Sequence, residues 1–154
     1  MNIYEILKKL YIDYEEIEHK AVYTVEEALS LKEKIEGIGC KNLFLTDKKN
    51  NYFLYVLRDD KRADLKELAL FLNVSKLIFA SEVDLKRLLG LEKGSVTPLG
   101  LINDKENQVK VVIDKELVGM KLLVHPNINT KTISIKYDDL IRFIEFKGNK
   151  YFLH

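Results

Sequence analysis

The sequence predicts one mixed α/β domain spanning residues 1–154, and three observations support this. Apolar residues recur at helical spacing in some segments and form short extended runs in others, so both kinds of element are expected. Helices and strands do not alternate in the regular order of a doubly wound sheet, and neighbouring strands are joined by short links. With 154 residues and 47% hydrophobic content, the chain can bury a core without a disulfide or a structural metal.

The first part of the chain is predicted to hold two helices, a short strand and a hairpin. Apolar side chains at helical spacing predict a helix over the first dozen residues, and a strand follows at 14–18. Thr24 and Glu27 form a capping box for the second helix, and Gly37 and Gly39 end that segment. The apolar runs at 41–46 and 51–57 are joined by four polar residues, which predicts an antiparallel hairpin.

Helix caps and strand runs continue through the rest of the chain. Asp64 begins a helix that runs through Phe71, and Ser81 begins one that runs through Leu89 and is stopped by Gly90. Four extended segments are then predicted, at residues 99–102, 109–113, 121–124 and 131–135. A last helix is predicted over residues 137–146.

Composition excludes several classes of protein and of site. A single cysteine, Cys40, rules out a disulfide framework and a thiolate zinc cage, as is typical of a reducing cytosol. No apolar run reaches the roughly 18 residues of a membrane span, and the first residues lack the order of a signal peptide. Phosphate-binding glycine motifs, a nucleophile elbow and a helical zinc-protease motif are missing. We therefore expect a soluble cytoplasmic protein that uses no metal or cofactor and no membrane.

Charged residues are abundant but balanced, with 25 Lys and Arg against 24 Asp and Glu and a net charge of +1. This balance is not typical of a protein that grips nucleic acid over a broad surface, and DNA is not expected as a partner. Residues 13–36 hold eight acids and three bases, whereas residues 41–76 hold eight bases and five acids. One face could therefore be locally basic.

Three stretches contain residues suited to chemistry at a phosphate or an ester. Lys41 begins an apolar strand beside Asn42, so a stiff support could aim its ammonium at a phosphate. Residues 94–100 combine two glycines with a proline and can present backbone donors and acceptors in a rigid array. His125 stands where a predicted strand meets a proline-fixed loop, from which side chains commonly project into clefts. Each feature alone also fits a structural role, as a snorkelling lysine, an ordinary turn or a core histidine.

Cys40 is a weaker candidate. Lys41 beside it could lower the pKa of its thiol, but no base adjoins it in the sequence. A small packing residue is the favoured interpretation.

Taken in order, five stretches resemble one protein family. They are Val22-Tyr23-Thr24-Val25-Glu26-Glu27-Ala28, Lys41-Asn42-Leu43-Phe44-Leu45, Asp60-Lys61-Arg62-Ala63-Asp64-Leu65-Lys66, Gly94-Ser95-Val96-Thr97-Pro98-Leu99-Gly100-Leu101-Ile102-Asn103-Asp104 and His125-Pro126-Asn127-Ile128-Asn129-Thr130. The chain is similar to the freestanding prolyl-tRNA editing proteins of the YbaK/ProX superfamily, and most like the ProX (PrdX-type) branch that removes alanine from mischarged proline tRNA. In one departure, His19-Lys20-Ala21 stands where relatives often have His-Pro-Pro, which weakens inference about the loop before the second helix.

The resemblance implies a mixed α/β fold with a central, mostly antiparallel sheet flanked by helices. It implies hydrolysis of the ester that joins an amino acid to the terminal adenosine of tRNA. It places Lys41 at a phosphate near that adenosine, the loop from Gly94 to Pro98 at the ribose and ester, and His125 to Asn129 at the aminoacyl pocket. The implied catalytic residues are Lys41, Gly94, Gly100 and His125. The implied substrate-binding residues are Tyr23, Thr24, Asn42, Ser95, Val96, Thr97, Pro98 and Asn129.

The predicted function is therefore that of an aminoacyl-tRNA deacylase acting in trans on mischarged proline tRNA, with alanine as the amino acid removed. Its predicted partners are the acceptor CCA end of tRNA and prolyl-tRNA synthetase. Three alternatives stay open. The hydrolase could remove serine, threonine or cysteine instead, or the chain could be a non-catalytic tRNA-binding or synthetase-associated module. A redox or proline-metabolism accessory protein would depend on Cys40.

Overall fold

The computed structural model describes residues 2–21 and 25–154. Their helices are α1 (Ile3–Lys9), α2 (Val25–Lys32), α3 (Leu65–Leu72), α4 (Glu82–Leu89) and α5 (Tyr137–Lys147). Their strands are β1 (Glu15–Glu18), β2 (Ile38–Thr46), β3 (Tyr52–Arg58), β4 (Ile78–Phe79), β5 (Val109–Ile113), β6 (Lys121–Val124), β7 (Lys131–Lys136) and β8 (Tyr151–Leu153). Within these ranges, none of the helices has the length and apolar character needed to cross a membrane.

The strands form one mixed sheet in the order β1-β7-β6-β2-β3-β5-β8, and β4 pairs with β2. The β1–β7, β2–β3, β2–β4 and β6–β7 pairs are antiparallel, and the β2–β6, β3–β5 and β5–β8 pairs are parallel. The predicted mixed α/β fold with a mostly antiparallel sheet is thereby confirmed. The predicted hairpin is β2–β3, in a register that runs from Cys40 opposite Arg58 to Thr46 opposite Tyr52.

Strand β3 is buried on both faces because the sheet separates two groups of packed apolar side chains. Leu54 and Val56 face the larger group, to which α1, α4 and α5 contribute. Phe53 and Leu57 face the smaller group, which lies beside α3. Successive side chains of a strand point to opposite faces, so burial on both sides requires the continuous apolar run that the sequence shows here.

The start of α3 and both ends of α4 follow the caps predicted from the sequence. The side chain of Asp64 accepts a hydrogen bond from the Glu67 N–H, and Ser81 accepts one from the Asp84 N–H. Gly90 ends α4 with a φ of 65°, a conformation that costs glycine little. The cap predicted at Thr24 lies outside the described residues.

Residues 99–102 were expected to be extended, and this prediction is wrong. They belong to a 3-10 helix over Pro98–Asn103. The Thr97 hydroxyl accepts a hydrogen bond from the Leu99 N–H at 3.3 Å, and Pro98 occupies the first helical position, where its missing N–H costs nothing. The cap and the proline together outweigh the weak extended tendency of so short an apolar run.

The structure also differs from the prediction at the end of the second helix and in two short elements that were not predicted. Gly39 was expected to end the second helix, but it lies inside β2, where its backbone is extended. Strand β8 and a short 3-10 helix over Lys115–Leu117 were not predicted. Both are short segments that neighbouring strands and turns hold in place, so they carry little periodicity of their own.

Candidate active site

Two loops that are distant in sequence are fastened together at one end of the sheet. The hydroxyl of Thr97, which is fully buried, donates a hydrogen bond to the carbonyl oxygen of His125 at 2.7 Å. The Asn127 side-chain amide donates to the carbonyl oxygen of Leu99 at 3.4 Å. The two loops also lie close together at Gly94, because a Cβ at this position would be 3.8 Å from Asn129 Nδ2. Residues 94–100 and 125–129 therefore form one rigid unit.

A pocket of about 120 Å³ lies among α2, β2, β6 and β7, and His125 is the residue of this unit that lines it. We call it the His125 pocket. Its apolar wall consists of Leu31, Leu123 and Val124, and its polar lining consists of Lys32, Cys40, Asn42, Asp59, His125 and Thr132. Its volume equals that of roughly four water molecules, and it is partly open to solvent.

A second pocket, which we call the Phe79 pocket, has a volume of about 390 Å³. Its lining consists of Asn42, Phe44, Phe79, Ala80, Glu82, Leu85, Lys93 and Val96. The side chain of Asn42 belongs to both pockets. The two pockets therefore meet at Asn42, beside the loop that contains Val96.

Asn42 carries an unused hydrogen-bond acceptor at this junction. Its Oδ1 is buried and has no hydrogen-bond partner among the described residues. A buried acceptor without a partner costs about 1 to 3 kcal/mol, and a hydroxyl or ammonium of a bound molecule would recover that free energy. The junction is therefore suited to a polar ligand.

The hydrogen bonds of His125 determine where its proton lies. Its Nδ1 is 2.8 Å from the carbonyl oxygen of Lys131, which can only accept, so Nδ1 carries the proton. Burial lowers the pKa of His125 below its usual value near 6.5, the bond to Lys131 opposes this, and the nearby His19 ring lowers it further. Near neutral pH the ring is uncharged, and Nε2 offers a free lone pair.

His19 forms a second imidazole beside the first. Its ring centroid lies 6.2 Å from that of His125. Its Nδ1 donates to the Lys20 carbonyl oxygen at 2.6 Å, and its Nε2 is 2.8 Å from the Thr132 hydroxyl. Because Nδ1 holds the proton, Nε2 accepts from Thr132, and Thr132 is thereby held at the lining of the His125 pocket.

An ion pair closes another side of the His125 pocket. Lys32 Nζ in α2 is 2.7 Å from Asp59 Oδ2, which follows β3. Both side chains lie over Gly39, and a Cβ at position 39 would overlap the Asp59 carboxylate and the Lys32 side chain. A side chain at position 39 would therefore displace the Lys32–Asp59 ion pair from the place that it occupies over Gly39.

Cys40 faces the His125 pocket as an inert thiol. Burial raises its pKa to about 12, and the Asp59 carboxylate acts in the same direction. The thiolate that nucleophilic or redox chemistry needs is therefore not populated near neutral pH. This agrees with the interpretation of Cys40 as a packing residue.

Lys41 occupies a different position from its neighbours on β2. It is half-buried opposite Leu57, and the alternation of the strand places it on the face of Leu43, away from Cys40 and Asn42. It lines neither the His125 pocket nor the Phe79 pocket. At this strand, Asn42 is the residue that the structure brings to the junction.

Of the remaining predicted residues, some lie beside the pockets and others are buried inside the loop of residues 94–100. Gly94 has a φ of +92°, and Val96 lines the Phe79 pocket. Gly100 is buried against Leu91, and its N–H donates to the Thr97 carbonyl oxygen at 3.1 Å, so that N–H is not free for a ligand. Ser95 and Pro98 are also buried, within the turn that leads into the 3-10 helix.

Tyr23 and Thr24, two of the predicted substrate-binding residues, lie outside the described residues. Sequence reasoning had not assigned roles to Lys32, Asp59, Thr132 or Phe79. The hairpin register could have found Asp59, because pairing Cys40 with Arg58 places the next residue across from Gly39. The other three come from α2, β7 and β4, and no local pattern in the sequence points to them.

Within the part of the chain that the structure describes, no cluster of three or more His, Cys, Asp or Glu side chains is arranged to hold a metal ion. The junction instead offers an amide oxygen, an uncharged imidazole and backbone groups. Such groups bind through hydrogen bonds and can orient a substrate and a water molecule.

Comparison with known proteins identifies close relatives. A family model described as "Aminoacyl-tRNA editing domain" matches residues 19–143. The prolyl-tRNA editing protein ProX of Acetoanaerobium sticklandii is 43% identical over 147 residues, which cover 94% of this chain and 90% of that protein. The prolyl-tRNA synthetase associated domain-containing protein 1 of Danio rerio is 40% identical over 144 residues, covering 92% of this chain and 78% of that protein.

Solved structures share the fold at much lower sequence identity. The crystal structure of hypothetical protein APE2540 superimposes with a TM-score of 0.75 at 18% identity, covering 97% of this chain and 96% of that one. The structure of a candidate trans-editing enzyme for prolyl tRNA synthetase gives a TM-score of 0.73 at 17% identity, covering 97% and 91%. At these identities the likeness concerns the fold.

Proposed function

The chain belongs to the aminoacyl-tRNA editing domain family, and on this premise we propose that it removes alanine from mischarged proline tRNA by hydrolysing the ester at the terminal adenosine. Prolyl-tRNA editing by deacylation is supported by the 43% identity to a prolyl-tRNA editing protein. The observation that carries the choice of alanine is the small His125 pocket, which is lined by Asn42, whose side-chain oxygen has no hydrogen-bond partner among the described residues.

The size and lining of the His125 pocket favour a methyl side chain. At about 120 Å³, with Leu31, Leu123 and Val124 along one wall, it suits a small apolar group. Rejection of proline would have to come from overlap of its ring with these walls, because the volume alone would hold a pyrrolidine ring. This matters because offering contact to an additional methylene discriminates by only about 1 to 3 kcal/mol.

The proposed chemistry is attack by water on the ester carbonyl carbon. A bond forms from the water oxygen to that carbon, the bond to the ribose oxygen breaks, and the water proton passes to the ribose oxygen. The products are alanine and uncharged tRNA. Because an aminoacyl ester is already activated, positioning suffices and a nucleophilic triad is not needed.

Each part of the junction has a proposed role in this step. The backbone around Gly94 stabilises the oxyanion, and the substrate's own ribose hydroxyl assists the attack. Uncharged His125 accepts a hydrogen bond at Nε2 from the attacking water. Lys41 holds a phosphate of the CCA end; because it lines neither pocket, this proposed contact lies outside them.

The proposed partners follow from the same site. The acceptor end of tRNA is the substrate. The net charge of +1 predicts a modest affinity for tRNA, which depends on contacts with the acceptor end and not on contacts along the whole molecule. Prolyl-tRNA synthetase is the proposed protein partner, because the Danio rerio relative is named as a domain associated with it. From these proposed partners we infer a cytoplasmic location.

The decisive experiment is deacylation of proline tRNA charged with alanine, serine, cysteine or proline, measured side by side. Alanine should be released fastest and proline spared. If serine or cysteine is released faster than alanine, the choice of amino acid is wrong. If tRNA binds in a salt-sensitive way but no ester is hydrolysed, the chain is a binding module and the proposal fails.

Two variants test the proposed residues. Lys41→Ala should raise KM for Ala-tRNA(Pro), because it removes a phosphate contact, and Gly94→Ala should lower kcat, because its φ of +92° strains any side chain. Lys49→Ala is the matched control, an exposed lysine in the β2–β3 turn that should behave as wild type. Wild-type rates in both test variants would overturn the assignment of the site.

A further inference from the structure

We infer that a second copy of this chain pairs with strand β8, so that two sheets join edge to edge about a two-fold axis. Strand β8 ends the sheet, and among the strands that the structure describes its one neighbour is β5. The inference goes beyond the proposed function and does not depend on it, because β3 and β5 separate β8 from the strands that line the His125 pocket.

The outer edge of β8 presents backbone groups that β5 does not use. The Lys150 carbonyl oxygen accepts from the Val111 N–H, and the His154 N–H donates to the Ile113 carbonyl oxygen, each at 2.9 Å. Peptide groups of alternate residues point to the same side of a strand, so those of residues 150, 152 and 154 face β5. The N–H and C=O groups of residues 151 and 153 therefore point outward, away from the sheet.

The two edges of the sheet differ in their protection against a further strand. At the opposite edge, β1 has glutamate at three of its four positions, and charged side chains discourage pairing along an edge. Strand β8 consists of Tyr151, Phe152 and Leu153 and contains neither a charged residue nor a proline. An apolar edge of this kind is a template for pairing unless another element covers it.

The outward groups of β8 fit a two-fold register. In an antiparallel pair centred on Phe152, Tyr151 of each copy lies opposite Leu153 of the other, and every outward N–H and C=O at these positions finds a partner. Phe152 then stands opposite its own counterpart in a non-hydrogen-bonded position, where the side chains of two strands come closest. Both copies use the same surface, as a two-fold interface requires.

Charges at the two ends of β8 favour a second copy as the occupant. Lys150 is exposed and forms no ion pair with the described residues, whereas Glu67 Oε2 lies 2.8 Å from His154 Nε2 at the other end. In the register centred on Phe152, residue 150 of one copy lies opposite residue 154 of the other, on the same face of the joined sheet. The Lys150 ammonium of each copy therefore approaches the Glu67 carboxylate of the other.

Exposed aromatic rings beside β8 add apolar area to this interface. Phe71 in α3 and Phe152 line one cleft of about 320 Å³, and they are 44% and 39% exposed. A cross-strand pair of Phe152 rings removes part of this area from water. Because β8 is short, the interface is small, and we expect the copies to associate and dissociate with concentration.

Sedimentation equilibrium of the full chain tests the inference. As the concentration rises from about 1 µM to about 1 mM, the average mass of wild type should increase from 18.0 kDa toward twice that value. Phe152→Lys should stay monomeric, because it sets two ammonium groups opposite each other. Leu153→Pro should also stay monomeric, since it removes an outward N–H and spares the bonds to β5. Val83→Lys, at an exposed position of α4, is the matched control and should associate like wild type.

Two results would overturn the inference. One is a wild type that remains monomeric up to about 1 mM. The other is association that persists in Phe152→Lys or in Leu153→Pro, because the copies would then meet at another surface. Circular dichroism checks that each variant is folded.

Disulfide cross-linking tests the register without adding a charge. Cys40 is the single cysteine, so the new thiol would be introduced in a Cys40→Ser background. Phe152→Cys should form a covalent dimer on mild oxidation, because opposed residues in a non-hydrogen-bonded pair have Cα atoms about 4.5 Å apart, within disulfide reach. Lys150→Cys should not, because its two copies would lie more than about 13 Å apart. Cross-linking of both variants to the same extent, or of neither, would show that β8 does not pair in this way.

Discussion

The hydrogen bond from Thr97 to His125 is the simplest place to test how the candidate site is built. Thr97 is fully buried, and its hydroxyl makes two bonds: it donates to the His125 carbonyl oxygen at 2.7 Å and accepts from the Leu99 N–H at 3.3 Å. Valine has nearly the same shape but no hydroxyl. Thr97→Val therefore leaves two backbone polar groups without partners while creating no cavity.

The expected magnitude follows from those two groups. At about 1 kcal/mol for each lost bond, Thr97→Val should lower the free energy of unfolding by about 2 kcal/mol. For a domain of this size, that corresponds to a fall in the thermal midpoint of roughly 5 °C. Because the bond holds His125 and the loop of residues 94–100 together, kcat/KM for Ala-tRNA(Pro) should also fall, by about tenfold or more.

Thr97→Ser is the matched control. It keeps both hydrogen bonds and loses only a methyl group, which is worth about 0.8 kcal/mol. Thermal unfolding and deacylation would be measured on wild type and on both variants. Equal midpoints and equal rates for the valine and serine variants would show that the hydroxyl does not fasten the two loops, and the account of the site would be wrong.

Two further predictions concern titratable groups in the His125 pocket. Burial lowers the pKa of His125, so the stability that its neutral form contributes is complete above about pH 6.5 and declines as the pH falls toward the lower folded-state pKa. Between about pH 7 and pH 5, wild type should lose more unfolding free energy in urea titrations than His125→Asn, and parallel curves would contradict the burial argument. Because burial and Asp59 raise the pKa of Cys40 to about 12, Cys40→Ser should deacylate within about twofold of wild type. Iodoacetamide near pH 8 should label folded wild type at least about 100-fold more slowly than unfolded protein, and rapid labelling would show that the thiol is accessible and ionised.

Elements governed by neighbouring residues were predictable from the sequence. The caps at Asp64 and Ser81 and the stop at Gly90 depend on hydrogen bonds and dihedral angles within a few residues. The β2–β3 hairpin is similarly local, since its two apolar runs are separated by a short polar turn. The 3-10 helix after Thr97 was not predicted, although its cap and its proline are both local.

The candidate site was predictable only in part. The sequence singled out residues 94–100 and 125–129 because glycine, proline and histidine there suit a rigid binding surface, and these loops do meet through Thr97 and His125, whereas their role in a site stays a prediction. It did not indicate that Asn42, and not Lys41, faces the pockets. That outcome depends on which face of β2 packs against which side of the sheet, and α3, α4 and α5 determine this together.

By itself, the sequence determined the class of fold, the caps of α3 and α4 and the β2–β3 hairpin, because the caps and the hairpin depend on contacts within a short segment of chain. Only the tertiary structure decided that Lys32 and Asp59 close the His125 pocket and that the His125 ring is uncharged. These features arise where residues distant in sequence pack together. Burial, pocket volume and pKa depend on all the neighbours of a group at once, and the order of residues along the chain does not specify those neighbours.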